Sequence, residues 1–385
     1  MKILLVCENY YPHYGGAELL FKMLAEGYVQ RGHEVTVLTH RLKNTAKEEA
    51  LHGVKIIRIA SLHSRYVFSF AAIFKAVKLA GHFDIIQTTT FNGVFPAWLA
   101  AKMRRKPVVL TVHEVWVGRW QEIAGFSWWK SLIHDGLERL LYCLPFDRYV
   151  CVSETTKNDL LTRRKDTIKV VMIYNGMDYD FWNAKHVSHR EREKIRQDLK
   201  LDNKVVAFSW GRPGNSKGFE YLIKAVPEIV KSRPDFTLLL MFGSVEKYCQ
   251  KFEELRQLVE GIKVKEHFKV ISSVDDEQLR TYLAIVDLAV VPSISEGFGF
   301  NALQAAAMEK PILISDAGSL PEIVGGRYQI FKAKDQEDLA RKALLLMDGK
   351  YLERKARKFL WEDTVERYLG EYESLLSPSI LPKAI

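Results

Sequence analysis

The sequence predicts a doubly wound α/β protein built from two Rossmann-like halves. Short apolar runs rich in Val, Ile and Leu alternate with longer amphipathic stretches from one end to the other. Continuous runs of that kind fit parallel strands buried on both faces. The alternation restarts after a polar interval without strand character, and 385 residues exceed one ordinary core, so two domains are expected.

The first half offers strands at Ile3–Cys7, Val35–Leu38, Ile56–Ile59, Ile85–Thr88, Val108–Val112 and Tyr149–Val152. Helical patterns stand out at Ala17–Arg31 and at Pro96–Arg104, the second opening on a proline, as first turns often do. The interval Ala184–Asn203 is charged and reads as the boundary. Beyond it come strands at Val205–Trp210, Thr237–Phe242, Phe268–Ile271, Leu288–Pro292 and Pro311–Ser315. Tyr351–Leu376 reads as one long amphipathic helix with no strand after it, able to pack across both domains.

Composition narrows the classes. With 48% hydrophobic and 27% charged residues the chain suits two packed cores and excludes disorder. The four cysteines, Cys7, Cys143, Cys151 and Cys249, show no metal or redox spacing and read as buried, reduced thiols of a cytoplasmic protein. The apolar start is shorter than the roughly 7–15 residues of a signal-peptide core. No window reaches the roughly 18 apolar residues of a membrane span. The net charge of +9 is uneven: residues 1–180 hold 24 Lys+Arg and 17 Asp+Glu, giving +7. That excess suits an anionic surface or substrate, or serves solubility alone. No basic cluster joins a nucleic-acid-binding motif.

Four constellations follow predicted strands, where doubly wound folds bind ligands. Gly15 and Gly16, within Tyr11-Pro12-His13-Tyr14-Gly15-Gly16-Ala17-Glu18, allow either close ligand approach to a helix start or merely a tight turn. His113 ends the strand Val108–Val112, placed for function or for structure. Trp210-Gly211-Arg212-Pro213-Gly214-Asn215-Ser216-Lys217-Gly218 joins glycines to a guanidinium and an ammonium suited to phosphate oxygens, though it is not a P-loop. In Pro292–Met308 a Glu296-Gly297-Phe298-Gly299 loop enters an alanine-rich helix whose first amides suit a diphosphate, with Glu296 beside it for hydroxyls. An anion site next to a hydroxyl-reading carboxylate suits a sugar nucleotide.

In that ordered set the chain resembles the retaining GT-B glycosyltransferases of family 4, also called glycosyl transferases group 1. The glycine-rich N-terminal loop, the strand ending in His113, Val152-Ser153-Glu154 and Tyr174-Asn175-Gly176-Met177-Asp178 match in order. So do Gly211-Arg212 with Lys217-Gly218, Asp287–Ser293, the Glu296 loop and Phe359-Leu360-Trp361-Glu362 of the C-terminal helix. The resemblance implies a GT-B fold, two such domains facing each other across a cleft. Residues 1–183 would bind acceptor, 184–355 the nucleotide sugar, and 356–385 would cross back to the N-terminal domain. It also implies roles. Gly15 and Gly16 approach the donor phosphates, His113 touches the transferred sugar, and Arg212 and Lys217 neutralise the diphosphate. Glu296 binds sugar hydroxyls, the backbone from Gly297 and Phe298 through Gly299, Phe300 and Asn301 holds sugar and phosphate, and the backbone at Ile271 meets the base. The implied reaction is hexosyl transfer from a UDP-, GDP- or ADP-sugar to an acceptor hydroxyl with retention, without cofactor or metal.

Two positions depart from the family's pattern. Gln304 replaces the second glutamate of Glu-x7-Glu, which reads ribose hydroxyls, and Ser272 replaces a common glycine. Losing a charged acceptor weakens ribose binding by roughly 1–2 kcal/mol. A weakened donor-binding or regulatory protein and a sugar-nucleotide epimerase are therefore the alternatives. Asp178-Tyr179-Asp180 and Asp275-Asp276-Glu277 read as turn and helix-cap chemistry, not metal ligands. The acceptor would be a glycan or a lipid-linked molecule. The aromatic, basic stretch Arg65–Lys78, the Arg104-Arg105-Lys106 cluster and Trp116, Trp120, Trp128 and Trp129 suit either peripheral docking on the anionic inner face of a membrane or the core and rim of the first sheet.

Overall fold

The computed structural model describes residues 1–377 except Tyr14, His63 and Lys165, so the Tyr14 of the glycine-rich loop lies outside the described residues. The chain folds as two units. Met1–Val117, Ile133–Gly176 and the segment from Phe359 form the first; Gly118–Leu132 and Met177–Lys358 form the second.

In the first unit the strands are β1 (Lys2–Val6), β2 (Glu34–His40), β3 (Glu48–Leu51), β4 (Val54–Ile59), β5 (Ile85–Thr89), β6 (Val108–Val112), β7 (Arg148–Cys151) and β8 (Val170–Met172). They pair in the order β3-β4-β2-β1-β5-β6-β7-β8, parallel throughout except β3 against β4. β1, β5 and β6 are buried almost end to end, which explains why their runs lack polar alternation. β3 is Glu-Glu-Ala-Leu on the sheet's rim and carries no apolar signal, so the sequence does not announce it.

The second unit holds β9 (Val205–Gly211), β10 (Phe236–Phe242), β11 (Phe268–Ser272), β12 (Leu288–Val291), β13 (Ile312–Ser315), β14 (Gly326–Phe331) and β15 (Leu352–Arg354). Their order is β11-β10-β9-β12-β13-β14-β15, again parallel except the last pair. Each unit therefore gathers the carboxyl ends of its parallel strands on one edge. Two doubly wound sheets are what the alternation requires.

Three expectations need correction. Tyr351–Leu376 is not one helix: Leu352–Arg354 pairs antiparallel with β14, and the helix begins at Trp361. The buried helical stripe, Trp361, Val365, Tyr368, Leu369 and Tyr372, starts only there, and residues 350–358 are exposed. The charged interval Ala184–Asn203, read as the boundary, is itself folded. It holds the helix His189–Asp198, opened by a capping box in which Glu191 N donates to Ser188 Oγ (3.3 Å) and Ser188 N to Glu191 Oε2 (2.8 Å). Packing divides the units at Gly176/Met177, ahead of that interval. Finally, Cys7 and Cys151 are buried, whereas Cys143 and Cys249 are exposed.

The C-terminal helix Trp361–Leu376 belongs to the first unit. A Cβ on Gly176 would lie 2.4 Å from the backbone of Trp361, so only glycine admits the helix start. A chain of buried hydroxyls ties the helix to the sheet. Tyr28 OH and Tyr372 OH are 3.0 Å apart, Tyr372 OH donates to Gln87 Oε1, Gln87 Nε2 donates to Thr111 Oγ1 (3.0 Å), and Thr111 Oγ1 meets Tyr368 OH (3.2 Å). Thr111 sits in β6, two residues before His113.

Candidate functional site

The second unit stitches two loops together at its carboxyl edge. After β9, Arg212 and Pro213 lead into a 3₁₀ turn at Asn215–Lys217, and Gly218 (φ +62°) begins the helix Phe219–Ser232. A Cβ on Gly218 would stand 2.1 Å from the Pro292 carbonyl oxygen, so glycine is required twice over, by dihedral and by contact. Ile294 N donates to Ser216 O at 2.8 Å, fastening the β9 loop to the β12 loop.

Within this junction Lys217 Nζ donates to Glu296 Oε2 at 2.7 Å, and Ser293 Oγ donates to the same oxygen at 3.2 Å. The Glu296 backbone is held too. Its carbonyl accepts from Ser319 N (3.0 Å) and Ser319 Oγ (3.2 Å), and Gly318 (φ +55°) lets the chain pass where a Cβ would lie 2.1 Å from that oxygen. A carboxylate fixed on both backbone and side chain faces an ammonium that can exchange it for phosphate oxygens.

The helix Phe300–Ala307 follows Gly299 (φ +87°), with no side chain capping it. Gly297, Phe298 and Gly299 are buried, and the Phe298 and Phe300 rings meet edge to face at 5.2 Å. Asn301 Nδ2 donates to Trp210 O (2.7 Å), and Trp210 Nε1 donates to Gln304 Oε1 (3.2 Å). The first turn of the helix is thereby pinned to the end of β9. Arg212 is exposed and takes no ion-pair partner among the described residues. Ile271 lies half-buried on β11, whose neighbour β10 adjoins β9. The structure thus forms two bonded groups, Lys217 with Glu296 and Trp210 with Asn301 and Gln304, with Arg212 on the β9 loop and Ile271 on β11, two strands from β9.

In the first unit Gly15 precedes the helix Gly16–Gln30 in an extended conformation (φ −177°) open to any residue, so its dihedral does not call for glycine. His113 follows β6, and its carbonyl accepts from Thr156 Oγ1 (3.1 Å). Its ring Nε2 is sealed from solvent without a hydrogen-bond partner. Burial pushes the imidazole down to about 4, against a raising influence from Glu18. His113 is therefore neutral at physiological pH and able to accept or donate one hydrogen bond. Glu18 Oε1 also lies 3.1 Å from His13 Nδ1, both within the glycine-rich loop segment at the helix start.

Other contributors were hidden from the sequence. Ser293, Ser319 and Trp210 act through geometry that spacing does not reveal, although Ser319 lies shortly after the end of β13, where strand-end position is itself a signal. The segment Gly118–Leu132 comes from the first half of the chain yet packs in the second unit. Arg119 Nη2 donates to Ile294 O (2.9 Å), two residues before Glu296, and Lys334 pairs with Glu122. The Asp178-Tyr179-Asp180 triplet forms an Asx turn, Asp178 Oδ1 accepting from Asp180 N (3.1 Å) and Phe181 N (2.9 Å). Asp275 caps the helix Asp276–Ile285 by accepting from Gln278 N at 2.8 Å.

Against known proteins, residues 14–181 match the model described as Glycosyltransferase Family 4, and residues 191–359 match Glycosyl transferases group 1. An uncharacterized glycosyltransferase of Methanocaldococcus jannaschii is 27% identical over 342 residues, 84% of this chain and 83% of the relative. The phosphatidylinositol N-acetylglucosaminyltransferase GPI3 subunit of Saccharomyces cerevisiae is 22% identical over 398 residues, 98% of this chain and 84% of the relative. In fold the chain is similar to an Anabaena protein crystallised in complex with UDP and glucose, with a TM-score of 0.76 at 20% identity, covering 97% of this chain and 100% of that one.

Proposed function

Because the chain is a GT-B glycosyltransferase of group 1, we propose that it moves a hexosyl group from a nucleoside-diphosphate sugar to an acceptor hydroxyl with retention of anomeric configuration. The observation that supports this most is the 2.7 Å pair between Lys217 and Glu296, held beside the opening of the helix Phe300–Ala307.

In this reading the donor's diphosphate takes Lys217 from Glu296 and gains Arg212 and the amides at the helix start. Glu296, still held by Ser293 and Ser319, turns its carboxylate to sugar hydroxyls. Negative charge develops on the diphosphate as the sugar–phosphate bond breaks, and positive groups placed in advance lower that barrier by a few kcal/mol each. The leaving phosphate oxygen accepts the acceptor's proton on the same face, giving retention without a covalent intermediate. His113, neutral, hydrogen-bonds the transferred sugar. Ile271 meets the base, Gly15 and Gly16 approach the phosphates, and Gln304 reads the ribose. The donor is the co-substrate and no cofactor is invoked.

UDP-glucose is the first donor to test, since the Anabaena protein was crystallised with UDP and glucose. A lipid-linked acceptor at the inner face of an anionic membrane is favoured over a soluble glycan, since the yeast relative is named for a phosphatidylinositol acceptor. Calorimetry with UDP-, GDP- and ADP-sugars, followed by product analysis on membrane extracts, tests the reading. Binding of one donor and acceptor-dependent transfer are expected. Failure of all donors to bind sinks it. Donor conversion without acceptor would point to an epimerase, and binding without any turnover to a regulatory protein.

A further inference from the structure

The helix Trp128–Cys143 buries Leu141 in the core and exposes Arg139, yet it also displays an apolar stripe to solvent. Within the first unit its inward positions include Glu138 and Tyr142, both buried. Glu138 Oε1 accepts from Trp116 N (2.9 Å) and from Tyr142 OH (3.2 Å), so the carboxylate is fully employed inside. Its outward positions are Ile133, Leu137 and Leu140, 53%, 54% and 60% exposed, with Gly136 among them. Surface helices normally do the reverse.

The neighbouring helices extend the same face. Arg65–Ala71 touches the Trp128–Cys143 helix through Tyr66 OH and His134 Nε2 (3.2 Å), and touches Val94–Arg104 through the Phe70 and Phe95 rings, 6.4 Å apart. Phe70 is 68% exposed, Phe74 of the helix Ile73–Ala80 is 88% exposed, and Met103 is 61% exposed. Of the aromatic stretch that suited either core or membrane, Phe68, Ala72 and Ala76 are buried, Ile73 and Val77 are half-buried with Val77 against the core, and Tyr66, Val67, Phe70 and Phe74 are exposed. Exposed apolar side chains in this number on helices that touch one another mark an interaction surface.

Charge selects the partner. From Ala50 to His113 the sequence holds nine Lys+Arg and one acid, Asp84, which is occupied by an N–H bond from Lys2 (2.7 Å). Of the nine, Arg58 is buried against Glu49 and Arg65 pairs with Glu8 (3.6 Å). Lys78 is one turn from Phe74 on the same helix face, and Arg104 and Arg105 end the helix that carries Met103. Lys75 and Lys102 are partly answered by Glu48 (3.8 Å) and Asp147 (3.9 Å). A symmetric contact with a second copy would bring like cations together. Aromatic and leucine side chains framed by cations fit the interface of an anionic bilayer, where apolar groups sink below the headgroups and cations meet lipid phosphates. No helix among the described residues is long and apolar enough to cross a membrane, so the contact is shallow.

We propose that this face of the first unit, displayed by Phe70, Phe74, Met103, Ile133, Leu137 and Leu140, docks on an anionic lipid bilayer. The proposal rests on the lipid-acceptor part of the reading above for its purpose, while its evidence is independent of the donor site.

The test is flotation of the full chain with phosphatidylserine-containing vesicles against pure phosphatidylcholine vesicles, alongside donor calorimetry on the same samples. The wild-type chain is expected to float with the anionic vesicles, and less so as salt rises. Phe70→Ser/Phe74→Ser/Leu137→Ser/Leu140→Ser is expected to lose at least about tenfold in partitioning with unchanged donor affinity. Lys78→Glu/Arg105→Glu, at exposed positions, is expected to lose a similar factor at low salt and serves if the first variant misfolds. Absence of wild-type flotation, or full flotation by both variants, overturns the proposal. So does concentration-dependent dimerisation that the serine variant abolishes. Flotation without donor binding would instead leave the docking face standing and remove the transferase reading.

Discussion

The two units finish their parallel sheets in opposite ways. At the carboxyl edge of the second, charged and polar groups other than the exposed Arg212 are matched to one another: Lys217 to Glu296, Ser319 to the Glu296 carbonyl, Trp210 to Gln304 and Asn301. At the edge of the first, His113 is buried with Nε2 unanswered, and the unit's outer helices leave leucine and phenylalanine uncovered. Matched charges hold a shape in readiness for an anion that replaces one of the partners. An unmatched buried nitrogen and an uncovered apolar face are instead incomplete without something else. The second unit is organised in isolation, whereas the first shows what it lacks.

The contrast breaks most sharply at Lys217. Lys217→Ala removes the ammonium and leaves Glu296 with Ser293 alone. Loss of a preorganised charge at the leaving group is expected to lower kcat by about 10²–10³-fold. Because the pair retains some solvent access, with side chains 19% and 15% exposed, the melting temperature is expected to move by no more than about 2–4 °C. Steady-state kinetics and a melting curve on the same preparation check both. A near-normal rate would mean that the pair is structural.

His113 sharpens the other side of the contrast. Its imidazole titrates near 4 in the folded chain, below the ordinary 6.5, because burial disfavours the cation. Between those values the unfolded chain binds more protons, so this residue's contribution to stability is intact above about pH 6.5 and is lost progressively as pH falls toward 4. The full loss is about 3 kcal/mol. His113→Gln, which cannot titrate, is expected to close most of that gap: its denaturation midpoint should fall less than the wild type's between neutral and acid pH. Parallel acid profiles for the two proteins would show that the imidazole is not responsible.

Tyr372 probes how the first unit is fastened. Tyr372→Phe removes one hydroxyl from the chain Tyr28–Tyr372–Gln87 and leaves Gln87 Oε1 without that donor inside the core. The expected loss is about 1–3 kcal/mol by denaturant unfolding, with donor affinity unchanged. A neutral result would mean that water or a rearranged Gln87 satisfies the site.

These cases show what spacing reveals and what it conceals. The parallel cores were legible because β1, β6, β9, β10 and β12 are dominated by apolar residues without polar alternation. β3 and β15 were not, being short, charged and at sheet rims. Glycine, cation and carboxylate at strand ends pointed to Arg212, Lys217 and Glu296, but Ser293 and Ser319 enter through tertiary contacts that no local pattern encodes. The two sixteen-residue helices make the limit plain. Trp361–Leu376 and Trp128–Cys143 are both amphipathic, yet the first hides its aromatic stripe and the second displays its apolar one. What decides is the partner for the polar groups: Tyr368 and Tyr372 find hydroxyl and amide partners within the first unit, and so do Glu138 and Tyr142, which turns the leucines outward.

The smallest effect is expected at Gln304, where the contrast within the second unit is one of acceptor number. The carbonyl oxygen of Gln304 already accepts from Trp210 Nε1, which leaves it one lone pair and its NH2 donors for a ribose hydroxyl, with no charged acceptor. Gln304→Glu would keep one oxygen on the indole and offer the other as a charged acceptor to the ribose. A gain of about 1 kcal/mol is expected, read as a roughly fivefold lower KM for the donor with kcat little changed. The added negative charge also lies on the helix that follows the Glu296 loop, and repulsion with the diphosphate opposes the gain. Raising the ionic strength separates the two, since it screens the repulsion more than the short hydrogen bond. If KM rises at every salt concentration, Gln304 is itself the residue that this site has been fitted to, and the ribose is held through the amide as donor.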